Sequence, residues 1–76
     1  KPLGDKNIIG ANVTKLRKLN MMSQKELAVN MQLLGVDINF SSLSKLEGQV
    51  RSVCDTELIA LSEVLGVSVN WLLGLE

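Results

Sequence analysis

A short stretch in the middle of the chain places several hydrogen-bonding side chains on one face of a predicted helix. Leu43 and Leu46 stand one helical turn apart, so we expect both to face the core. The opposite face then carries Phe40, Ser41, Ser44 and Lys45, with Ser42 nearer the edge. Serine and lysine can hydrogen-bond to the edges of bases, and small side chains let a helix approach them closely. This face therefore fits a helix that enters the DNA major groove; an ordinary amphipathic helix with a solvated serine face is the alternative.

Residue types that most enzymes and metal sites need are missing. The sequence has no histidine and no tyrosine, and Cys54 is its one cysteine. A structural zinc site needs about four Cys, His or carboxylate ligands, and the serines have no histidine to activate them. The glycines are separated in sequence, so they form no phosphate-binding loop. We therefore expect no enzyme, no metal and no cofactor.

Charge is distributed unevenly, although the formal net charge is zero. Through Lys25 the chain has six basic residues against one acidic residue, and from Glu26 onward it has two against seven. A binding partner can use such an asymmetry. If that partner is a nucleic acid, we expect the basic first helix to supply phosphate contacts.

Length and hydropathy favour one small intracellular domain. The 76 residues leave room for a single domain, which we assign to residues 1–76 with a core at about 8–74. No apolar stretch approaches the ~20 residues that cross a bilayer, and the N-terminus does not resemble a signal peptide. Lys1 in the first position indicates a fragment of a longer protein. Because Cys54 is alone and cannot form an intramolecular disulfide, we expect a cytoplasmic protein.

Hydrophobic spacing and helix-end signals predict an all-α fold of five short helices. The first helix runs from about residue 7 to 19. Ser23 and Glu26 form a capping box at the start of the second helix, and Gly35 ends it. The other predicted signals are Asn39 or Ser41 as the cap of the third helix, Gly48 as its end, Asp55 as the cap of the fourth, Gly66 as its end and Ser68 as the cap of the fifth.

Apolar residues at helical spacing define the predicted core. In chain order they are Ile9, Val13, Leu16 and Leu19; Leu27, Ala28, Met31 and Leu34; Leu43 and Leu46; Leu58, Leu61 and Leu65, flanked by Ile59 and Val64; and Trp71 with Leu72.

Three runs of the sequence, IGANVTKLRKLNMMSQKELA, SSLSKLEGQ and LIALSEVLGVSVNWLLG, resemble the helix-turn-helix domain of the phage repressor and Cro family of transcriptional regulators. The resemblance covers about residues 8–74. It implies a compact repressor-like fold with the helix-turn-helix formed by helices 2 and 3. It also implies sequence-specific binding of double-stranded DNA by a homodimer from a bacterium or phage, with the third helix in the major groove.

The resemblance also implies roles for individual residues. Gln24 matches a position that binds a DNA phosphate and braces the recognition helix, and Asn39 matches a phosphate-contacting cap. Arg17 and Glu47 match an ion pair that ties the first helix to the end of the third. The remaining matches are Phe40, Ser41 and Lys45, with Ser44 nearby, as base contacts, and Lys25 and Arg51 as phosphate contacts. For Arg51, a solvated side chain is the alternative.

Two departures from the family pattern open a second interpretation. The turn between helices 2 and 3 is lengthened at residues 32–37, which extends the second helix and can shift the angle of the third. Phe40 stands where a polar or basic residue is common; it can pack on a thymine methyl or anchor a protein partner. The alternative function is therefore a protein–protein interaction module on the same fold. Dimer contacts are expected either in a segment beyond this chain or at Val69, Trp71, Leu72 and Leu73, with core packing as the alternative for Trp71.

Overall fold

The computed structural model describes residues 4–75, and all of its regular structure within that range is helical. The helices are α1 (Gly10–Leu19), α2 (Gln24–Leu33), α3 (Phe40–Glu47), α4 (Asp55–Leu65) and α5 (Val69–Leu72). This confirms the predicted all-α architecture. None of these helices is long and apolar enough to cross a membrane.

Most helix ends form as their residue types predict. Ser23 and Glu26 make the reciprocal capping box, with each side chain accepting the other's backbone N–H at 3.1 Å. Gly35 follows the end of α2 at φ +88°, a conformation that costs glycine little. Asn39, and not Ser41, caps α3 by accepting the N–H of Ser42 at 2.8 Å.

Two predicted helix starts are wrong. α1 begins at Gly10 and not near residue 7, because Asn7 makes contacts with another part of the fold. Cys54, and not Asp55, stands at the N-cap of α4; Asp55 is the first helical residue. The N–H of Cys54 donates to the Glu57 carboxylate at 3.0 Å, so an acidic residue one turn into the helix satisfies this end.

The core lies where α4 and α5 meet the first three helices. α4 packs against α1, α2 and α5, while α3 packs against α1 and α2. The largest fully buried side chains are Val13, Leu27, Met31, Ile38, Leu43, Leu46, Leu61 and Leu72. Among them only Ile38 was not predicted, because it lies in the turn before α3 and outside any helical periodicity.

Three predicted core residues are exposed instead: Leu19, Leu34 and Ile59. Leu19 is the last residue of α1 and Leu34 directly follows α2, where the chain has already left the core. On α4 the small residue Ala60 takes the buried position beside Leu61. Periodicity identifies a helix face, but the packing of neighbouring helices decides how much of that face is covered.

Candidate nucleic-acid interface

The outer face of α3 is the surface to which the sequence analysis assigned base contacts. Its exposed residues are Phe40, Ser41, Ser44 and Lys45. Leu43 and Leu46 are fully buried on the other side. Phe40 is the first residue of the helix, and 48% of its surface is exposed. The helix therefore presents two hydroxyls, one ammonium group and one aromatic ring in a single turn and a half.

Asn39 caps the solvent-exposed N-terminus of α3. Its Oδ1 accepts the Ser42 N–H, and the residue is itself exposed. The first N–H groups of a helix carry partial positive charge that favours anions. Asn39 therefore stands where the predicted phosphate contact would be made.

A buried carboxylate at the other end of α3 fixes the helix to its neighbours. Glu47 is only 5% exposed. Arg17 Nε lies 2.8 Å from its Oε2, and Arg17 Nη2 donates to its Oε1 at 3.0 Å. Thr14 Oγ1 and Gln24 Nε2 also donate to Oε1, at 2.9 and 3.0 Å. Charge-assisted, two-pronged pairing of this kind is both strong and directional.

This cluster joins three helices, since Thr14 and Arg17 lie on α1, Gln24 on α2 and Glu47 on α3. Arg17 Nη1 also donates to the backbone oxygen of Met22 at 2.9 Å, in the turn between α1 and α2. The bracing contact implied for Gln24 is thus present as a hydrogen bond to Glu47. Its contact with a phosphate remains a prediction.

Arg51, a predicted phosphate contact, pairs within the protein. Its Nη2 and Nη1 lie 2.9 and 3.2 Å from the two carboxylate oxygens of Glu57. Burial by itself would raise the pKa of Glu57, but the hydrogen bonds from Arg51 and from the Cys54 N–H, together with the Arg51 charge, hold the pKa below its ordinary value. The pair neutralises Arg51, so the guanidinium is less free for a phosphate than a solvated arginine would be.

Positive charge on the exposed surface therefore rests mainly on lysines. Lys25 in the first turn of α2 and Lys45 on α3 are both exposed, and so are Lys15 and Lys18 on α1. Arg17 on α1 is paired with Glu47, and Arg51 in the loop after α3 is paired with Glu57. Long-range attraction for a polyanion would come from lysines of the first three helices.

The residues suggested for dimer contacts divide between core and surface. Leu72 is fully buried, whereas Val69, Trp71 and Leu73 are half-buried. Trp71 and Leu73 pack against the core, so core packing accounts for much of the Trp71 surface. Asn12 adds a hydrogen bond from α1 to the Leu72 carbonyl at 3.0 Å.

Sequence reasoning missed two residues at this interface. Thr14 shares a face of α1 with Arg17, three positions away, and that spacing is a usable sign of a common partner. Asn7 was placed in the first helix, yet it binds the end of α3. Within residues 4–75, no group of three or more metal-ligating side chains is arranged to hold an ion.

Comparison with known proteins identifies a family for this chain. The sequence model of a family described as Helix-turn-helix, of the Cro/C1 type, matches residues 13–72 of the 76. No curated protein matches the chain.

Proposed function

The chain belongs to the phage-repressor and Cro type of helix-turn-helix family, and on that premise we propose that it is a sequence-specific DNA-binding transcriptional regulator that acts as a repressor. It is not an enzyme in this proposal. It belongs to a bacterium or phage and works in the cytoplasm, as one domain over the whole chain. Its partner is double-stranded DNA, which a homodimer binds at two half-sites.

The orientation of α3 is the observation that supports this proposal. Four exposed residues of α3 form one face, while the buried Glu47 cluster holds the opposite end of the helix against α1 and α2. A recognition helix needs this combination, because base reading requires a groove-facing surface held at a fixed angle. Ser41, Ser44 and Lys45 would hydrogen-bond to base edges, and Phe40 would pack on a thymine methyl.

Contacts to the phosphates would come from residues that flank α3. Lys25 and Gln24 lie in the first turn of α2, and Asn39 caps α3. Arg51 would contribute through that part of its guanidinium that Glu57 does not occupy. Such contacts set the register of the protein on the duplex and supply most of the affinity, whereas the α3 face supplies sequence discrimination.

Selection from a randomised duplex pool, at low and moderate salt, tests the function. We expect a palindromic motif, and we expect Lys45→Ala to relax one base position in each half-site at a cost of about 1–3 kcal/mol. If no sequence is enriched even at low salt, groove reading by this chain is refuted. If the chain then binds a protein partner and Phe40→Ala weakens that binding, the alternative function, a protein–protein interaction module, is favoured.

A further inference from the structure

The segment before α1 is attached to the end of α3, and it lies outside the part of the chain that matches the family. The match begins at residue 13. This segment and Gly10, the first residue of α1, together form residues 4–10, which we call the N-terminal clasp. The Gly4 N–H donates to the Gly48 carbonyl at 3.0 Å, and the Lys6 N–H donates to the Gln49 carbonyl at 2.9 Å. The clasp therefore runs alongside the loop that leaves α3.

Asn7 is the centre of the clasp. Its Nδ2 donates to the carbonyls of Leu46 and Arg51 at 3.0 and 2.8 Å. Its Oδ1 accepts the N–H groups of Ile9 and Gly10 at 3.2 and 2.8 Å. Both hydrogens and both lone pairs of the amide are thus used. One side chain joins the start of α1 to the last turn of α3 and to the following loop.

Gln49 completes the attachment from the other side. Its Nε2 donates to the Asn7 carbonyl at 2.8 Å, and its backbone has φ +61°. Residues other than glycine adopt this conformation rarely, so the surrounding contacts must hold it.

Close backbone packing adds a second constraint. A Cβ atom at Gly10 would lie 2.5 Å from the Leu46 carbonyl oxygen, and one at Gly4 would collide with the Gln49 carbonyl oxygen. Glycine at both positions lets the clasp approach α3 directly. The end of α3 is therefore held by backbone contact as well as by the Asn7 amide.

We propose that Asn7 is a positioning residue for DNA reading, which acts through the clasp to fix the last turn of α3 and the loop that carries Arg51. This inference rests on the function proposed above. The outer face of α3 can discriminate between bases only if the helix meets the groove at one angle. Fixing that angle before DNA arrives removes part of the ordering cost of binding.

The test compares Asn7→Ser and Asn7→Asp with the parent chain. Serine keeps an oxygen that can accept from the start of α1 but loses both donated hydrogen bonds. Aspartate keeps the shape of asparagine but places a carboxylate against two carbonyl oxygens. Lys6→Ala is the matched control, because it removes the side-chain charge and keeps the backbone N–H that binds Gln49.

Two readouts are measured at a temperature where circular dichroism shows every variant fully folded. Amide hydrogen exchange at Lys6 reports whether the clasp is closed, and it needs no DNA. Binding to the selected duplex and to single-base variants of it reports discrimination. We expect both Asn7 variants to exchange faster at Lys6, to bind the selected duplex roughly tenfold more weakly, and to discriminate less between duplexes. Lys6→Ala should match the parent.

The other possible results refute either the positioning role of Asn7 or the proposed function. If the parent selects a motif and the Asn7 variants discriminate as well as it does, the positioning role is refuted and the proposed function stands. If Lys6→Ala reproduces the loss, the segment acts through its charge, and the role of Asn7 is again refuted. If the parent selects no motif, the proposed function fails and this inference fails with it. If the Asn7 substitutions lower the affinity for all duplexes equally, their effect is purely structural and the positioning role is refuted.

Discussion

Phe40 lies on the outer face of α3, which we propose contacts the bases, but its side chain has no hydrogen-bonding group. An arginine or lysine there could bind guanine through two acceptors, which a phenyl ring cannot do. About half of its surface is exposed before any partner binds, so apolar area remains that a thymine methyl could cover. At the scale of single residues, the proposed contact would replace polar by apolar recognition at one base pair.

Replacing thymine by uracil in the DNA removes only that methyl group and so tests the contact directly. We expect the parent chain to bind a uracil-substituted half-site roughly fourfold more weakly, since burying a methyl group is worth about 0.8 kcal/mol. Phe40→Ala should bind both duplexes alike, at the weaker level. A parent chain indifferent to uracil at every position would refute the thymine contact.

Glu57 makes the stability of the chain depend on pH. Its pKa is lowered in the folded protein from the ordinary value of 4.5. A carboxyl group with a lowered folded-state pKa contributes stability that is full above its unfolded-state pKa and lost as pH falls through the folded one. We therefore expect the free energy of unfolding to fall as the pH drops below about 4.5.

Urea unfolding at a series of pH values, for the parent and for Arg51→Met, measures this contribution. The variant lacks the Arg51 hydrogen bonds and the Arg51 charge that lower the pKa of Glu57, while burial, which raises it, and the hydrogen bond from the Cys54 N–H, which lowers it, remain. Its unfolding free energy should be lower at neutral pH, and its loss on acidification should be smaller. Equal acid sensitivity in the two proteins would contradict a role for the Arg51–Glu57 pair.

At the scale of helices, the Glu47 carboxylate joins α3 to α1 and α2. Removing one partner of a buried ion pair leaves the other charge uncompensated. Glu47→Gln keeps the shape of the side chain but strands the Arg17 guanidinium, so we expect a loss of about 3 kcal/mol in unfolding free energy. A domain of this size has only a small free energy of unfolding. A fraction of the Glu47→Gln molecules would therefore be unfolded.

Chemical denaturation with two companions tests that expectation. Glu63 is exposed on α4, so Glu63→Gln should change stability by no more than about 0.5 kcal/mol. The double variant Arg17→Met with Glu47→Leu should be more stable than Glu47→Gln, because no unpaired charge remains buried. If Glu47→Gln costs no more than Glu63→Gln, the cluster does not brace the helices.

Whether the sequence could predict a contact of these helices depended on how far apart its two residues lie along the chain. The caps at Ser23, Asn39 and Ser68 and the end at Gly35 were predictable, because each uses groups only a few residues apart. The contact between Asn7 and the end of α3 was not, since the two carbonyls to which its Nδ2 donates lie 39 and 44 residues away and leave no local pattern.

The residues of the candidate site divide in the same way. The outward face of α3 follows from the spacing of Leu43 and Leu46 alone. The pairing of Arg51 with Glu57 does not, because the sequence gives no sign of whether an arginine in a loop is solvated or neutralised by a neighbour. Only the three-dimensional structure shows which charged side chains are paired, and it places Arg51 in an ion pair with Glu57.

At the scale of the whole molecule, size argues for two copies on DNA. The longest dimension of the chain is 29 Å, whereas half-sites read from one side of a duplex lie roughly 34 Å apart. In the proposed function, one copy would carry one recognition helix and read only a few base pairs. A second copy would double both the bases read and the phosphate contacts, which matters for a chain with zero formal net charge.

The dependence of affinity on salt then counts those phosphate contacts. Each neutralised phosphate contributes about −0.9 to the slope of log affinity against log salt concentration. We expect Lys25→Ala to make the slope less steep by about one per protomer and to weaken selected and unselected duplexes equally. Lys45→Ala should change discrimination and leave the slope nearly unchanged, because its proposed partner is a base. If the two variants exchanged these signatures, Lys45 would be the phosphate contact, and base reading by α3 would rest on its serines and Phe40 alone.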